Sequence, residues 1–404
     1  MTCTSDLSAP DDLYSEKQNK KRVPPWIISS GKNATRPSAD AYRPPTAADR
    51  RRLPKPISIL QNVVMVLKTL PSYFISQIFA TMHHIDKNSL KNWILAQKFQ
   101  NQSSARQYHE VFKPCSKNFF EMKTASTSYL PRTKQRSSGR LCNPETALKH
   151  LKKDGKPMPI HANAVSSANG KVFIATQAPL GENPRKLHDD TMEDFWHMCL
   201  HEGVENIVML CQFEEEGAKR CAHYFPMTLN ESLKCGRYQL KTVACENFLN
   251  DIDLRKIEVE DISNQFQKTV ITHYHYTGWP DATCPKNGDF ESTYRLMKKV
   301  EKSLKPTVVH CSAGIGRTMS FIGIHVIAEN VKSHGQEVTM TAEIVKLKNI
   351  RWHCLQTYRQ TYWLQMAVIF KLIRDFQLFD LVEEFNEMNA MFHEVVVNED
   401  SRLN

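Results

Sequence analysis

Residues 308–318, with the sequence VVHCSAGIGRT, constrain the fold of this chain more than any other segment. An apolar run precedes the cysteine, two glycines lie in the middle, and an apolar run that can form a helix follows at residues 319–327. This order predicts a strand, a tight loop and the N-terminus of a helix. In such a loop the backbone N–H groups of residues 312–317 turn inward and bind a single anion.

Cys311 and Arg317 bracket this loop in a C-x5-R spacing. The loop amides, the helix dipole and the guanidinium all favour the thiolate form of a cysteine at the base of the loop. The alternative is a buried structural cysteine in front of a surface helix. The flanking His310, the two glycines and Thr318 favour the anion site over that alternative.

The segment resembles the signature loop of the cysteine-based protein tyrosine phosphatases. Residues 274–281 (YHYTGWPD) resemble the mobile acid loop of the tyrosine-specific branch, and residues 356–360 (QTYRQ) resemble its glutamine loop. Four upstream segments fit further motifs of that family: HANA at 161–164, TQAPL at 176–180, DFW at 194–196 and RCAHYFP at 220–226. All of them occur in the family's order, so the resemblance implies a catalytic domain over residues 90–375.

The resemblance implies that Cys311 attacks phosphorus as a thiolate and forms a phosphocysteine intermediate. Arg317 would bind two phosphate oxygens bidentately, and the loop amides would bind the rest. The implied phosphate-binding residues are Ser312, Ala313, Gly314, Ile315, Gly316 and Arg317. Thr318 would donate its hydroxyl towards the sulfur of Cys311, and His310 would organise the loop.

The other implied roles belong to residues outside the loop. Asp281 would protonate the departing phenolate and later accept a proton from water, and Trp279 would anchor the hinge of its loop. Gln356, and secondarily Gln360, would position that water, and both would contact the substrate together with Asp281. Glu215 would orient the loop arginine, although the glutamates on either side leave this assignment open by one residue.

The chain departs from the family pattern in the substrate-recognition loop, which the resemblance locates at residues 135–139. Ser137 stands where the family has an aromatic side chain, and Gly139 stands where it has an aspartate. Tyr129 lies nearby in the sequence, and it would supply the missing aromatic side chain only under a different alignment. Loss of a stacking aromatic weakens binding by about 1 kcal/mol. Ala282 also follows the acid where the family often has an aromatic residue.

Short apolar runs alternate with helical patterns along the chain, which predicts an α/β domain with a central twisted mixed sheet flanked by helices. The predicted strands are residues 172–175, 207–210, 238–243, 256–260, 270–276 and 307–309. The predicted helices are residues 190–202, 290–302, 318–332, 342–347 and 357–378, and helices are also expected to open the domain from Leu90. Residues 113–160 are expected to be rich in loops.

Three segments lie outside the predicted domain. Residues 1–56 are rich in proline and carry a basic run, so we expect a disordered tail. Residues 57–89 are an ambiguous extension, in which the apolar window 57–82 is too interrupted for a membrane span and favours a packing helix over membrane contact. Residues 376–404 form an acidic, amphipathic C-terminal tail that is able to add a helix.

Net charge and cysteine spacing limit the classes of partner, the kinds of disulfide or metal site, and the cellular compartment. A net charge of +10 suits a phosphate-bearing partner, whereas the basic residues are too dispersed to predict nucleic-acid binding. Eleven cysteines without close pairs indicate neither a disulfide framework nor a zinc site. The implied chemistry needs no cofactor and no metal. An essential thiol requires a reducing compartment, and the polar start predicts no secretory signal, so we expect a cytoplasmic protein.

The leading hypothesis is a protein tyrosine phosphatase acting on phosphotyrosine-containing proteins through a phosphocysteine intermediate. The first alternative, motivated by Ser137, Gly139 and Ala282, is a weakly active or inactive phosphotyrosine-binding pseudophosphatase. The second is a dual-specificity phosphatase, which a shallow pocket favours and the Trp279-Pro280-Asp281 sequence disfavours. Nothing in the sequence bears on the physiological substrate or the oligomeric state.

Overall fold

The structure is a computed structural model, and it describes residues 86–100, 119–137, 139–182, 188–263 and 268–403. The strands of this part are β1 (Lys152–Lys153), β2 (Lys156–Pro157), β3 (Ala162–Ser166), β4 (Val172–Thr176), β5 (Asn206–Met209), β6 (Glu214–Glu215), β7 (Ala218–Lys219), β8 (Ser232–Cys235), β9 (Tyr238–Leu249), β10 (Ile252–Asp261), β11 (Lys268–Tyr276) and β12 (Thr307–His310). Eight of them form one mixed sheet, in the order β3-β4-β12-β5-β11-β10-β9-β8. The predicted α/β fold with a central mixed sheet is confirmed.

The centre of the sheet is parallel and its flanks are antiparallel. Strand β12 lies between β4 and β5 and pairs with both in parallel, and β5 pairs in parallel with β11. All four residues of β12 are buried, as expected for a strand covered on both faces. His310 is in register with Thr176 and Met209, so three strands end together at the edge from which residues 311–316 emerge.

Helices cover the sheet. In chain order they are α1 (Lys87–Gln100), α2 (Phe119–Tyr129), α3 (Met192–His201), α4 (Phe290–Val300), α5 (Arg317–His334), α6 (Met340–Ile350), α7 (Tyr358–Phe376) and α8 (Val382–Leu403). Helix α5 is apolar on nearly every side and is the buried central helix. Gly323 lets it approach α7, because a Cβ there would lie 2.9 Å from Cδ2 of Leu364.

The expectation that residues 113–160 are loop-rich was wrong for α2. Its sequence, FFEMKTASTSY, is rich in Ser and Thr and lacks a strong apolar period. Tertiary contacts stabilise it instead: Met122 packs with Leu141 and Trp352 in a small cluster, and Ser126 accepts a hydrogen bond from the backbone N–H of Cys142 at 3.0 Å. A weak local preference is therefore overridden by packing.

Several other expectations differ from the structure or fall outside it. Strands β3 and β8 and the short hairpins β1–β2 and β6–β7 were not predicted, and the antiparallel pair β9–β10 is longer than expected. The proposed tail 1–56 and the apolar window 57–82 lie outside the described residues. In the part of the chain that is described, no helix is both long and apolar enough to cross a bilayer.

Helix α8 follows the catalytic-domain boundary proposed from the sequence and packs against the core. Phe385 is 6% exposed, and its ring lies 5.5 Å from Phe290 and 5.6 Å from Phe370. Phe392 is also buried and stacks on Tyr362 at 6.1 Å. These aromatic contacts attach α8 to α4 and α7.

We expect Phe385→Ala to lower the free energy of unfolding by about 3 kcal/mol, because it removes a buried aromatic ring and leaves a cavity. Urea unfolding followed by circular dichroism measures the change. Phe379→Ala is the matched control, since Phe379 is 57% exposed and its loss should change stability by less than about 0.5 kcal/mol. Equal effects of the two substitutions would show that α8 does not stabilise the domain.

Candidate active site

The loop of residues 311–316 connects β12 to α5 and is held by neighbouring backbone. Gly314 has a φ of 70°, and a Cβ at this position would lie 2.0 Å from the carbonyl oxygen of Thr176, so only glycine fits. The carbonyl of Ser312 accepts from the N–H of Ala178 at 2.9 Å, and that of Ile315 accepts from Leu355 at 3.3 Å. The loop is therefore fixed on both sides.

Cys311 lies at the start of this loop and is 3% exposed. The following helix α5 begins at Arg317 after Gly316, and no side chain caps its first turn. The amides of Met319 and Ser320 donate to the carbonyl of Gly316, and the amides that precede them lie where a helix N-terminus binds an anion. This is the strand, loop and helix arrangement that the sequence predicted.

Arg317 makes four hydrogen bonds within the site. It is 1% exposed, and its Nη1 and Nη2 donate to the two carboxylate oxygens of Glu215 at 2.5 and 2.9 Å. Burial lowers the pKa of the guanidinium, but the hydrogen bonds to Glu215, together with the charges of Glu215, Cys311 and Cys211, outweigh it and leave the pKa above its ordinary value. The structure thus places Glu215, rather than either neighbouring glutamate, against Arg317.

The loop that carries Asp281 is folded over the same guanidinium. Nη1 of Arg317 donates to the carbonyl of Trp279 at 2.9 Å, and Nη2 donates to Oδ1 of Asp281 at 3.0 Å. Trp279 is 1% exposed, its Nε1 donates to the carbonyl of Thr283 at 2.9 Å, and its ring lies 4.7 Å from that of Trp363. These contacts fix both the start of the loop and its acidic residue.

The two glutamines predicted from the sequence also reach the loop. A Cβ on Gly316 would lie 2.6 Å from Nε2 of Gln360 and 2.7 Å from Oε1 of Gln356. Thr357, between them, donates its hydroxyl to the carbonyl of Ala282 at 3.0 Å. The glutamine segment and the acid loop therefore contact each other as well as the loop of Cys311.

His310 supports the loop from below. Its Nδ1 lies 3.1 Å from the carbonyl of Cys311 and must donate to it, which leaves Nε2 to accept from the hydroxyl of Tyr224 at 2.7 Å. That hydroxyl in turn lies 2.8 Å from Nε2 of His273. Burial, with a smaller contribution from nearby cationic groups, lowers the pKa of His310 to about 3. The ring is neutral at physiological pH and acts on loop geometry.

The expected contact between Thr318 and the sulfur of Cys311 is not formed. Thr318 is fully buried, and its hydroxyl has no hydrogen-bond partner among the described residues. Its position in the first turn of α5 keeps it beside the loop. The other residues implied by the resemblance are brought together in one place.

The segment at residues 134–137 lies beside residues 176–179, at the end of β4. Nη2 of Arg136 donates to the carbonyls of Ala178 and Pro179 at 3.2 and 3.0 Å, and its backbone N–H donates to Oε1 of Gln177 at 3.1 Å. Ser137 and Gly139 are exposed. The anchoring arginine is present, but no aromatic side chain stands at position 137.

Tyr129 lies in α2, and its hydroxyl is bonded to a different part of the chain from residue 137. Its hydroxyl donates to the carbonyl of Ile160 at 3.2 Å. Burial raises the pKa of this phenol to about 12.

Two arginines of the site were not assigned a role from the sequence. Arg220 contacts Oδ2 of Asp281 through Nη1 at 3.2 Å. Arg351 is fully buried, and it donates to the carbonyl of Gly314 at 3.0 Å and to Oδ1 of Asn163 at 2.6 Å. Arg220 lay within a quoted motif, so a signal for it existed, whereas Arg351 stood in no recognised pattern.

Comparisons with known proteins agree with this geometry. Residues 131–370, more than half of the chain, match the family model described as protein-tyrosine phosphatase. The chain is 32% identical over 216 residues to human tyrosine-protein phosphatase non-receptor type 7, which covers 51% of this chain and 54% of that protein. It is 27% identical over 246 residues to human non-receptor type 9, covering 56% and 40%. The matches thus span about half the length of these relatives.

The fold is similar to solved structures of human protein tyrosine phosphatase non-receptor type 18. Its catalytic domain is 23% identical, with a TM-score of 0.56, and the match covers 71% of this chain and 100% of that one. A complex of the same phosphatase with a HER2 phosphopeptide gives 23% identity and a TM-score of 0.60, covering 70% and 99%. At this level of identity the likeness concerns the fold alone.

The neutral state of His310 predicts a pH-dependent stability. The pKa in the folded chain is about 3, below the value of about 6.5 in an unfolded chain, so the unfolded state binds more protons between these values. The contribution of His310 is complete above about pH 6.5 and is lost as the pH falls towards 3. Between pH 7 and 5.5 this amounts to about 1 kcal/mol.

We therefore expect the stability of His310→Gln to fall by about 1 kcal/mol less than that of the wild type over this interval. Urea unfolding at the two pH values measures the difference. His334→Gln, at an exposed site, should retain the wild-type dependence. An unchanged pH dependence in His310→Gln would mean that His310 is not held neutral by the fold.

Proposed function

This chain belongs to the protein-tyrosine phosphatase family, and from that premise we propose that it hydrolyses phosphotyrosine in proteins through a phosphocysteine intermediate. One observation carries the proposal. Three buried polar atoms around the loop of Cys311 lack hydrogen-bond partners among the described residues: Nε of Arg317, Oγ1 of Thr318 and Nε2 of Gln360. Buried polar groups are nearly always paired, so a cluster of unpaired donors supports a site for an oxyanion.

The other contacts of Arg317 determine which of its N–H groups could face an anion. Glu215 occupies one N–H of each terminal nitrogen, and the carbonyl of Trp279 takes a second one on Nη1. On the Nε–Nη2 edge, Nε has no partner among the described residues, and the second N–H of Nη2 donates to Asp281, which a phosphoryl group would replace there. A phosphoryl group placed at this edge would accept two parallel hydrogen bonds, a geometry that a lysine cannot reproduce.

The first step would be attack of the Cys311 thiolate on phosphorus, in line with the phenolic oxygen. Arg317 and the loop amides would stabilise the charge on the equatorial oxygens, and such preorganised donors usually contribute the largest catalytic term. Asp281 would transfer its proton to the phenolic oxygen, which then leaves as tyrosine. The S–P bond forms while the P–O bond breaks.

The second step would hydrolyse the phosphocysteine. Gln356 and Gln360 reach over Gly316, where they can hold a water in line with the S–P bond. Asp281, now ionised, would accept a proton from this water, and the hydroxyl of Thr318 would donate towards the sulfur as it leaves. Cys311 is thereby regenerated as a thiolate together with inorganic phosphate.

The substrates would be phosphotyrosine-containing proteins in a reducing compartment, for which the cytoplasm is the natural location. A relative of the same fold has been solved in complex with HER2 phosphopeptides, which supports peptide substrates here. The nine cysteines in the described part of the chain are free thiols. The basic net charge of +10 would favour encounter with acidic phosphoproteins.

The central test measures turnover of a phosphotyrosine peptide under reducing conditions. Cys311→Ser should abolish phosphate release, and Asp281→Ala should lower kcat by about 10³-fold while peptide binding is retained, because only the proton transfer is lost. Cys245→Ser, at an exposed thiol, is the control and should keep wild-type activity. Equal phosphate release by wild type and Cys311→Ser would refute the proposal.

A phosphotyrosine-binding protein with little or no turnover is the second candidate, and the exposed Ser137 and Gly139 favour it. Micromolar binding of a phosphopeptide without phosphate release over hours would support this function instead. Phosphothreonine peptides assayed in parallel distinguish the third reading, a dual-specificity phosphatase. Comparable kcat/KM on both peptides would favour that reading.

Ser137→Tyr should lower the KM for a phosphotyrosine peptide by about fivefold, because a tyrosine here restores a stacking surface worth about 1 kcal/mol. Steady-state kinetics measure this change, and kcat should stay the same since no catalytic group is altered. Ser137→Ala is the control and should leave KM unchanged. A KM for Ser137→Tyr equal to that of the wild type would show that position 137 does not face the substrate.

A further inference from the structure

The C-terminal end of α3 brings together two imidazoles and a carboxylate. His201 is the last residue of α3 and Glu202 follows it, while His150 comes from the segment that precedes β1. Oε1 of Glu202 lies 2.6 Å from Nε2 of His150 and 3.2 Å from Nδ1 of His201. All three ligand atoms lie within 4.8 Å of one another.

We propose that His150, His201 and Glu202 bind a Zn²⁺ ion. Imidazole nitrogen and carboxylate oxygen are ordinary zinc ligands, with bonds of about 2.0–2.2 Å. In a tetrahedral site with such bonds the ligand atoms lie about 3.3–3.5 Å apart. The 3.2 Å contact between Glu202 and His201 lies just below this spacing. The 2.6 Å contact between Glu202 and His150 is a hydrogen-bond distance, which must lengthen when an ion enters. The fourth position is left for water, as in sites with three protein ligands.

The side chains of the proposed ligands are exposed enough to turn towards an ion, while the backbone that carries them is fixed. The side chains of His150 and His201 are 56% and 45% exposed, so they can turn towards an ion, and that of Glu202 is 17% exposed. The backbone at His150 is fixed between Leu148 and Leu151, both buried. The ligands are therefore presented by ordered elements and remain accessible from solvent.

Helix electrostatics favour a cation at this place. The ligands His201 and Glu202 lie at the end of α3 where the carbonyl groups carry partial negative charge. The nearby His197 is not a fourth ligand, because both of its nitrogens are engaged. Its Nδ1 lies 2.6 Å from the hydroxyl of Tyr238, and its Nε2 lies 2.7 Å from the carbonyl of Lys152.

A bound ion would link the segment of His150 to α3, which already organises neighbouring parts of the fold. Oδ2 of Asp194, in α3, accepts from Lys134 at 2.6 Å, and its Oδ1 accepts from Lys153 at 2.7 Å. Zinc would add a cross-link to this arrangement. Because it would bind the folded chain and not the unfolded one, it should raise the unfolding temperature.

The test is thermal unfolding of the full-length, tag-free protein with and without zinc chloride. We expect zinc to raise the midpoint by about 3 °C, and His150→Ala and His201→Ala to lose this rise. His334→Ala, which removes an exposed imidazole elsewhere on the domain, should keep it. A rise of equal size in all four proteins, or no rise in the wild type, would overturn the proposal.

A second measurement separates this site from the thiols of the chain. Cobalt(II) replaces zinc in such sites and gives an intense near-ultraviolet charge-transfer band when bound to thiolate but not when bound to imidazole and carboxylate. Titration of Cys311→Ser with cobalt should give weak visible bands alone, and these should vanish in Cys311→Ser/His150→Ala. A dominant thiolate band would contradict the site. Neither experiment measures phosphatase activity, so the outcome of both experiments is independent of the proposed function.

Discussion

The buried pair of Arg317 and Glu215 is the interaction on which the geometry of the site depends. A guanidinium that is 1% exposed is costly unless it is paired and hydrogen-bonded. Glu215 supplies two charge-assisted hydrogen bonds, and the short β6–β7 hairpin holds that carboxylate in place. Because the pairing fixes the rotation of the guanidinium, it also determines which of its edges faces the loop of Cys311.

The same guanidinium joins the acid loop to the core. The carbonyl of Trp279 and the carboxylate of Asp281 are both hydrogen-bonded to Arg317. The ring of Trp279 packs on Trp363, which stacks on Phe290, the residue covered by Phe385 of α8. An unbroken series of aromatic contacts therefore runs from the acid loop to the C-terminal helix. The position of the acid loop consequently rests on packing far from the reacting atoms as well as on charge.

Local patterns predicted the parts of the site that are close in sequence. The strand, glycine loop and helix around Cys311 follow from apolar runs and glycine positions, and the alternating strands and helices predicted the mixed sheet. Contacts between distant positions were not predictable in this way. Glu215 lies 102 positions from Arg317, and only the family resemblance implied this pair, whereas Arg351, 188 positions from Asn163, was assigned no role. Such pairs arise from the tertiary fold, which no local period encodes, and α2 was missed for the same reason.

Compared with the family pattern, the site has two parts: one that keeps the expected residues and surrounds the loop of Cys311, and one for peptide recognition in which residues differ. The phosphate part comprises the loop amides, Arg317 and Asp281. Carbonyls of the loop accept hydrogen bonds from Ala178 and Leu355, and Arg317 donates to both Glu215 and Asp281. The recognition part keeps its anchor, since Arg136 is bound to the strand end at Ala178 and Pro179, but it exposes serine and glycine where an aromatic and a carboxylate would contact a peptide. Under the proposed function, interactions of the first kind would act on kcat and those of the second on peptide binding. A change confined to the recognition part would then alter which peptides are bound and leave the chemical step in place.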